Sequence, residues 1–323
     1  MRSSRATRVL QYAFVFAIAV TLNFLLPRFM PGNPLALIAG ADFGLLTPEQ
    51  QAEVIREAGL DQPLYAQYFA YWGDLLRMDW GYSYRQARPI VDLILERLPW
   101  TLLITGASLV VSAIVGIALG AISAWRRGRA ADVGLLSSMI ALESLPSFWL
   151  GMLLVAVFAV TLDWFPSFGA VTPASGYEGL DLVADIAAHT VLPVVTLSVL
   201  SIPGVYLTMR YSALSVLGED FIRTARAKGA SERRVLFGHV ARNALAPVLT
   251  VLALRLGFAF GGTVVVETVF SYPGLGRLVF EAVQSRDYPV MQATFLIFTV
   301  AVLLANVLAD LLYPLVDPRT RAT

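Results

Sequence analysis

The sequence predicts an all-α, polytopic membrane protein with six transmembrane helices. Of its 323 residues, 57% belong to the AVILMFWYC set and only 15% are charged, whereas soluble domains hold about 45–50% and about 25%. Mean hydropathy is +0.67. Six segments also reach the length of about 20 apolar residues that a helix needs to cross the hydrocarbon core. Lipid leaves the backbone no partner but itself, so such segments fold as helices. This composition excludes disorder, a collagen repeat, a disulfide scaffold and an ordinary soluble enzyme. The absence of cysteine removes disulfides, iron–sulfur clusters and thiolate zinc. His189 and His239 lie far apart in sequence, so no transition-metal site is expected. A net charge of +1 gives no strong attraction to nucleic acid, and none is expected as a partner.

The first span, 9–27, carries no charge and follows Arg2, Arg5 and Arg8. A signal peptide has the same flanks, and Ala39-Gly40-Ala41 imitates a cleavage site. The apolar run exceeds the usual 7–15 residues and that site lies well beyond it, which favours a retained anchor. The segment 28–99 is too long and polar for a turn. Within it, Thr47-Pro48-Glu49-Gln50 combines a Thr cap, Pro at the first helical position and Gln in the capping-box place. Gly59 supplies the stop. A second helix from near Pro63 gathers Tyr65, Tyr68, Phe69 and Trp72, aromatics suited to the headgroup layer or to a docked partner. Residues 1–99 therefore form an N-terminal anchor with a long external loop, and 100–323 a five-span core.

The core spans are nearly free of charge. Span 100–125 has none, 134–162 only Glu143, 190–209 none, 244–266 only Arg255, and 289–313 only Asp310. Pro193, Pro203, Gly257, Gly261 and Gly262 stand where helices could break. Glu143 and Arg255 lie nine and eleven residues from the inner ends of their spans, a depth difference of about 3 Å at about 1.5 Å per residue. They are expected to face the interior and pair, directly or through water. Alternatively, Arg255 snorkels or lines the pore and meets solute carboxylates. The loop 163–188 is acidic (Asp163, Glu178, Asp181, Asp185) with no base, which reads as a solvated outer face. Arg and Lys concentrate in 126–129 and 212–243, and the short loops place both termini inside.

Transport against a gradient needs energy, and Lys228, the only lysine, follows Ala227 rather than a Walker loop. If the chain moves a solute uphill, an ion gradient or a separate ATPase would have to drive it. In the inner loop 212–243, residues 219–228 form a short helix, acidic first and basic last. Gly229 breaks it, Ser231 caps a second short helix, and Pro247 opens the fifth span. Such an elbow offers a rigid knob to a soluble partner. A basic loop lying on anionic lipid is the plainer reading of the same charges.

The residues of this loop, Ala225-Arg226-Ala227-Lys228-Gly229, Val235, His239, Arg242-Asn243-Ala244-Leu245 and Pro247, resemble the signature of ABC importer permeases. The branch is the dipeptide/oligopeptide/nickel one, and the subunit type is the one with a long first external loop. Arg223 and Thr224 stand where the wider superfamily's E-A-A pattern has Glu and Ala. Glu267-Thr268-Val269-Phe270-Ser271-Tyr272-Pro273-Gly274-Leu275-Gly276, with Arg286-Asp287-Tyr288-Pro289, resembles the family's last external loop. The first loop is similar at Pro31-Gly32-Asn33-Pro34, at Gly59-Leu60-Asp61-Gln62-Pro63-Leu64 and at Asp79-Trp80-Gly81-Tyr82-Ser83. The C-terminus is similar at Asp310-Leu311-Leu312-Tyr313 and Asp317-Pro318-Arg319.

The resemblance implies a type I importer permease, half of a pore with a second homologous permease subunit. Two ATPase subunits would hold ATP and magnesium, leaving no cofactor or metal in this chain. An extracytoplasmic solute-binding protein would deliver short peptides, or else nickel chelates, glutathione or oligosaccharides. Ala225, Arg226, Ala227, Lys228, Gly229, Arg233 and Arg234 would couple to the ATPase. Glu267, Tyr272, Pro273, Gly274, Leu275 and Gly276 would form an external loop that reaches into the docked binding protein or plugs the pore. An ion-driven secondary transporter is the alternative, although no repeat of three spans on three is evident. An intramembrane enzyme lacks any nucleophile–base or paired-carboxylate constellation.

Overall fold

The computed structural model describes residues 5–29, 47–57, 61–83 and 85–316. The motifs at 31–34, 59–60 and 317–319 lie outside the described residues. Fourteen labelled elements serve the description: α1 (Arg5–Phe29), α2 (Pro48–Glu57), α3 (Leu64–Leu76), β1 (Tyr82–Ser83), β2 (Arg88–Pro89), α4 (Ile90–Trp125), α5 (Ala130–Glu143), α6 (Ser147–Leu154), α7 (Gly179–Leu217), α8 (Asp220–Ala227), α9 (Glu232–Arg234), α10 (Arg242–Val269), α11 (Leu275–Ser285) and α12 (Tyr288–Val316). Two π-helical segments, Val155–Thr161 and Val235–Ala241, extend α6 and α9. The chain divides into two compact units, residues 1–101 with 273–303 and residues 102–272 with 304–323.

Among the described residues, four helical stretches are long and apolar enough to cross a membrane: Ile90–Trp125, Gly179–Leu217, Glu232–Arg255 and Tyr288–Leu308. The pair Ala130–Glu143 and Ser147–Thr161 makes a fifth, bent by 100°. Helix α1 adds a shorter apolar stretch, Leu10–Leu26. The span expected at 134–162 is thus not one straight rod, because Pro146 cannot donate to the preceding turn and starts a new helix. Pro193 and Pro203 sit inside α7, and Gly257, Gly261 and Gly262 inside α10, without interrupting either helix.

In the first unit, α1 exposes Leu10, Phe14, Ile18 and Leu22 at every fourth position, one continuous apolar stripe. Its opposite face buries Val20 and Phe24. Asn23 Nδ2 donates to Tyr71 Oη at 3.1 Å and to the Gln292 carbonyl at 2.7 Å, and Gln292 Nε2 donates back to the Asn23 carbonyl at 2.8 Å. These bonds tie the anchor to α3 and α12. Tyr68 stacks edge-on to Phe24 and hydrogen-bonds Thr21 at 2.8 Å, while Trp72 meets Phe16 edge-on. Half of the expected aromatic cluster therefore packs on α1, and Tyr65 and Phe69 remain exposed. The capping box forms as read: the Gln50 amide donates to Thr47 Oγ1 at 3.4 Å and the Thr47 amide to Gln50 Oε1 at 3.0 Å. The core of this unit joins Ile90, Leu93 and Ile94 of α4 to Leu275 and Leu278 of α11 and Val290 and Met291 of α12.

In the second unit, α10 packs most extensively on α7. Helix α4 approaches α7 closely at Gly116 and Gly120. A methyl carbon on Gly120 would stand 2.6 Å from the Tyr206 carbonyl oxygen, and one on Gly116 would stand 2.7 Å from Val205. Small residues four apart let two helix backbones approach in this way.

Candidate functional site

The elbow is built from local chemistry. Helix α8 begins at Asp220 and carries Arg226 in its last turn, complementing its dipole. Gly229 takes φ +79°, the left-handed conformation that ends a helix at least cost in glycine. Ser231 Oγ accepts from the Arg234 amide and caps α9. The second helix differs from expectation. It does not stop before Pro247 but passes through the π segment into α10, so the elbow is continuous with a span.

Ile222, Val235 and Val240 are fully buried with Ala121 and Ala124 of α4, Val205, Met209 and Ala213 of α7, and Ala244 and Val248 of α10. Three apolar pegs therefore fasten the elbow to the ends of three long helices. The outward side carries the residues read as the coupling set. Arg226, Ala227, Lys228, Gly229, Arg233 and Arg234 are exposed and Ala225 is partly so. Arg226 pairs with Glu232 at 3.3 Å and Arg223 with Asp220 at 3.6 Å, exposed pairs worth at most about 1 kcal/mol. An open hollow of about 500 Å³ is lined by Phe221, Thr224, Ala225, Lys228, Gly229 and Arg234 among others. Phe221 and Phe237 are exposed beside these cations.

Half of the segment read as the last external loop is helical, at Glu267–Val269 and Leu275–Gly276, and most of its residues are buried. Glu267 lies fully buried in the final turns of α10, and Tyr272 is fully buried with its hydroxyl 3.0 Å from Thr190 Oγ1. Ser271 takes φ +47°, whereas Gly274 takes φ −99° and caps α11, and Gly276 is helical. The left-handed position thus falls on Ser271 rather than on either glycine of the motif. Leu275 is buried, and its amide donates to Thr101 Oγ1 at 2.8 Å. Pro273 is partly exposed.

The intramembrane charges are placed as follows. Arg255 is half-buried on α10, and its guanidinium occupies the notch left by Gly204 on α7. Glu143 is the last residue of α5, exposed at the edge of the 100° bend. No direct salt bridge joins Glu143 and Arg255 among the described residues. Asp310 is partly buried on α12 and has interactions of its own.

Sequence reasoning missed a buried ion pair. The Asp132 carboxylate accepts from Arg210 Nε at 2.8 Å and Nη2 at 3.0 Å and from the Gly128 amide at 2.9 Å. Ser123 donates to the same carboxylate and lies 2.6 Å from Tyr206 Oη. Asp132 is 3% and Arg210 9% exposed. The two residues fall just outside the spans 134–162 and 190–209. A charge on either side of a span end was the available signal.

Residues 116–322 match the family described as "Binding-protein-dependent transport system inner membrane component", and residues 4–105 match its N-terminal companion. The chain is 40% identical to the glutathione transport system permease protein GsiC of Escherichia coli (strain K12) over 311 residues, covering 95% of this chain and 94% of that one. It is 39% identical to the oligopeptide transport system permease protein AppB of Bacillus subtilis (strain 168) over 299 residues, 92% of each. Among solved structures, the inward-facing MetNI methionine ABC transporter aligns with a TM-score of 0.57 at 17% identity, covering 71% of this chain and 98% of that one. An amino acid ABC transporter aligns with a TM-score of 0.50 at 15% identity, covering 69% and 94%. These two share the fold, a type I importer permease. With the family matching well over half its length, the chain belongs to the multi-pass inner-membrane permease components of binding-protein-dependent ABC importers.

Proposed function

We propose that this chain is one half of a pore that imports short peptides, glutathione among them, across the cytoplasmic membrane. A second homologous permease completes the pore, and two ATPase subunits carry the ATP and magnesium. An extracytoplasmic binding protein selects the solute. Both termini and the elbow lie on the cytoplasmic side, in accord with the distribution of Arg and Lys. The elbow is the observation that carries this reading. An exposed helix beside an open hollow, pegged to three long helices by Ile222, Val235 and Val240, is suited to passing a partner's motion into the bundle. The names of the relatives support the solute class, one a glutathione and the other an oligopeptide permease.

The test is uptake of a labelled tripeptide into vesicles holding the assembled complex. ATP inside the nucleotide compartment should drive uptake when a protonophore has collapsed the proton gradient. Uptake that stops with the gradient and persists without ATP would make the chain part of a secondary transporter.

A further inference from the structure

The buried network around Asp132 stands where the elbow is seated. It gathers Ser123 of α4, Gly128 of the following turn, Asp132 in the first turn of α5, and Tyr206 and Arg210 of α7. The carboxylate accepts both bonds of the Arg210 fork and a third from the Gly128 amide. Ser123 Oγ joins the pair to α4, 3.2 Å from Arg210 Nε and 2.6 Å from Tyr206 Oη. Beside these residues on α4 and α7, Ala121, Ala124, Met209 and Ala213 belong to the apolar cluster that holds Ile222, Val235 and Val240 of the elbow. Among the described residues that cluster takes none from α5. Helix α5 meets the seat through Asp132 and, further along, through Met139 packed on Ile202 and Tyr206. It then runs into the 100° bend before α6.

Stability alone does not account for this arrangement, because apolar side chains of similar volume can replace a buried ion pair with little or no loss. What they cannot supply is direction, since a guanidinium fork meets a carboxylate along fixed lines. The network therefore sets the register of α5 on α7 beside the seat of the elbow. We propose that Asp132, Arg210 and Ser123 are positioning residues for energy coupling, which make the bent α5–α6 pair follow the elbow. The proposal rests on the importer reading above and names the residues that carry its motion into the bundle.

The readout is labelled tripeptide imported per ATP hydrolysed, in vesicles holding the whole complex with its binding protein and well below the melt of every variant. A merely stabilising network would change the amount of assembled complex and leave this ratio alone. The double variant Asp132→Leu/Arg210→Met should melt close to wild type yet import about tenfold less peptide per ATP, a factor within the usual range of coupling between sites. Arg210→Lys keeps the charge and loses the planar fork, and its ratio should fall about threefold. It decides the matter if the double variant does not assemble. A wild-type ratio in the double variant, or in Arg210→Lys where the double variant is lost, overturns the positioning role. A wild-type complex that imports no peptide with ATP overturns the peptide-import reading, and the positioning role with it.

Discussion

Replacing Gly229 by Val tests the elbow at the point where local structure and coupling meet. Gly229 holds φ +79°, and a methyl carbon added there would meet nothing within 4 Å. The penalty therefore comes from the backbone and not from a clash within the chain. An L-residue in the left-handed region costs about 1–2 kcal/mol, and a β-branched one stands at the upper end. That converts to a roughly 5–30-fold loss in the population of the native turn. The pegs Ile222, Val235 and Val240 lie outside the turn and keep the bundle folded. Gly229→Val should insert and assemble normally, while solute-stimulated ATP hydrolysis and uptake in vesicles fall together by about that factor. Gly229→Asn, whose side chain tolerates the conformation, should fall much less. Neutralising Arg233 and Arg234 should have the smaller effect if coupling depends on shape, and the larger one if the loop merely holds anionic lipid. Normal stimulated ATPase activity in Gly229→Val would refute the coupling role of this residue.

The buried clamp gives a second prediction. Arg210→Met leaves the Asp132 carboxylate buried without its partner and should destabilise the complex by about 3–5 kcal/mol, whereas the double variant Asp132→Leu/Arg210→Met should recover most of that in a thermal melt in detergent. Gly120→Val forces a side chain against the Tyr206 carbonyl and should cost about 1–3 kcal/mol by overpacking, read in the same melt. Tyr272→Phe removes the 3.0 Å bond to Thr190 and should loosen the segment by about 0.5–1.5 kcal/mol. Faster proteolysis or hydrogen exchange across 270–276 would register this change, and unchanged exchange would speak against it. Removing Thr47 Oγ1 in Thr47→Ala should fray α2 by about 1 kcal/mol without altering the spans, checked by exchange at Glu49–Gln51 amides.

Features set by neighbouring residues were readable in the sequence. The Thr47–Gln50 box, the Gly229 stop and the Ser231 cap follow from side chains within three positions of the backbone they satisfy. The apolar runs were readable because hydrocarbon admits few alternatives to a helix. What escaped depends on distant partners. Asp132 and Arg210 are 78 positions apart, and nothing local to either one says that they meet. The bend at Pro146 was hidden inside a continuous apolar run, while Pro193 and Pro203, equally visible as breakers, sit inside an intact α7. Tertiary packing decided between them. The 267–276 segment looked like a loop because of its Pro and two Gly. Its burial comes instead from Tyr272 finding Thr190 and from Leu275 finding the α4 core.

The chain contains no cysteine, so a single introduced thiol reports its own neighbours alone. In the assembled complex, a short thiol-to-amine crosslinker should join Ala225→Cys and Lys228→Cys, both at the hollow beside Gly229, to an ATPase subunit. The same reagent on Tyr177→Cys, exposed between the π segment after α6 and α7, should leave the ATPase free. Capture of the ATPase from residues 225 and 228 alone is the predicted result. Capture from Tyr177→Cys with none from the elbow would contradict the assignment of this surface to energy coupling.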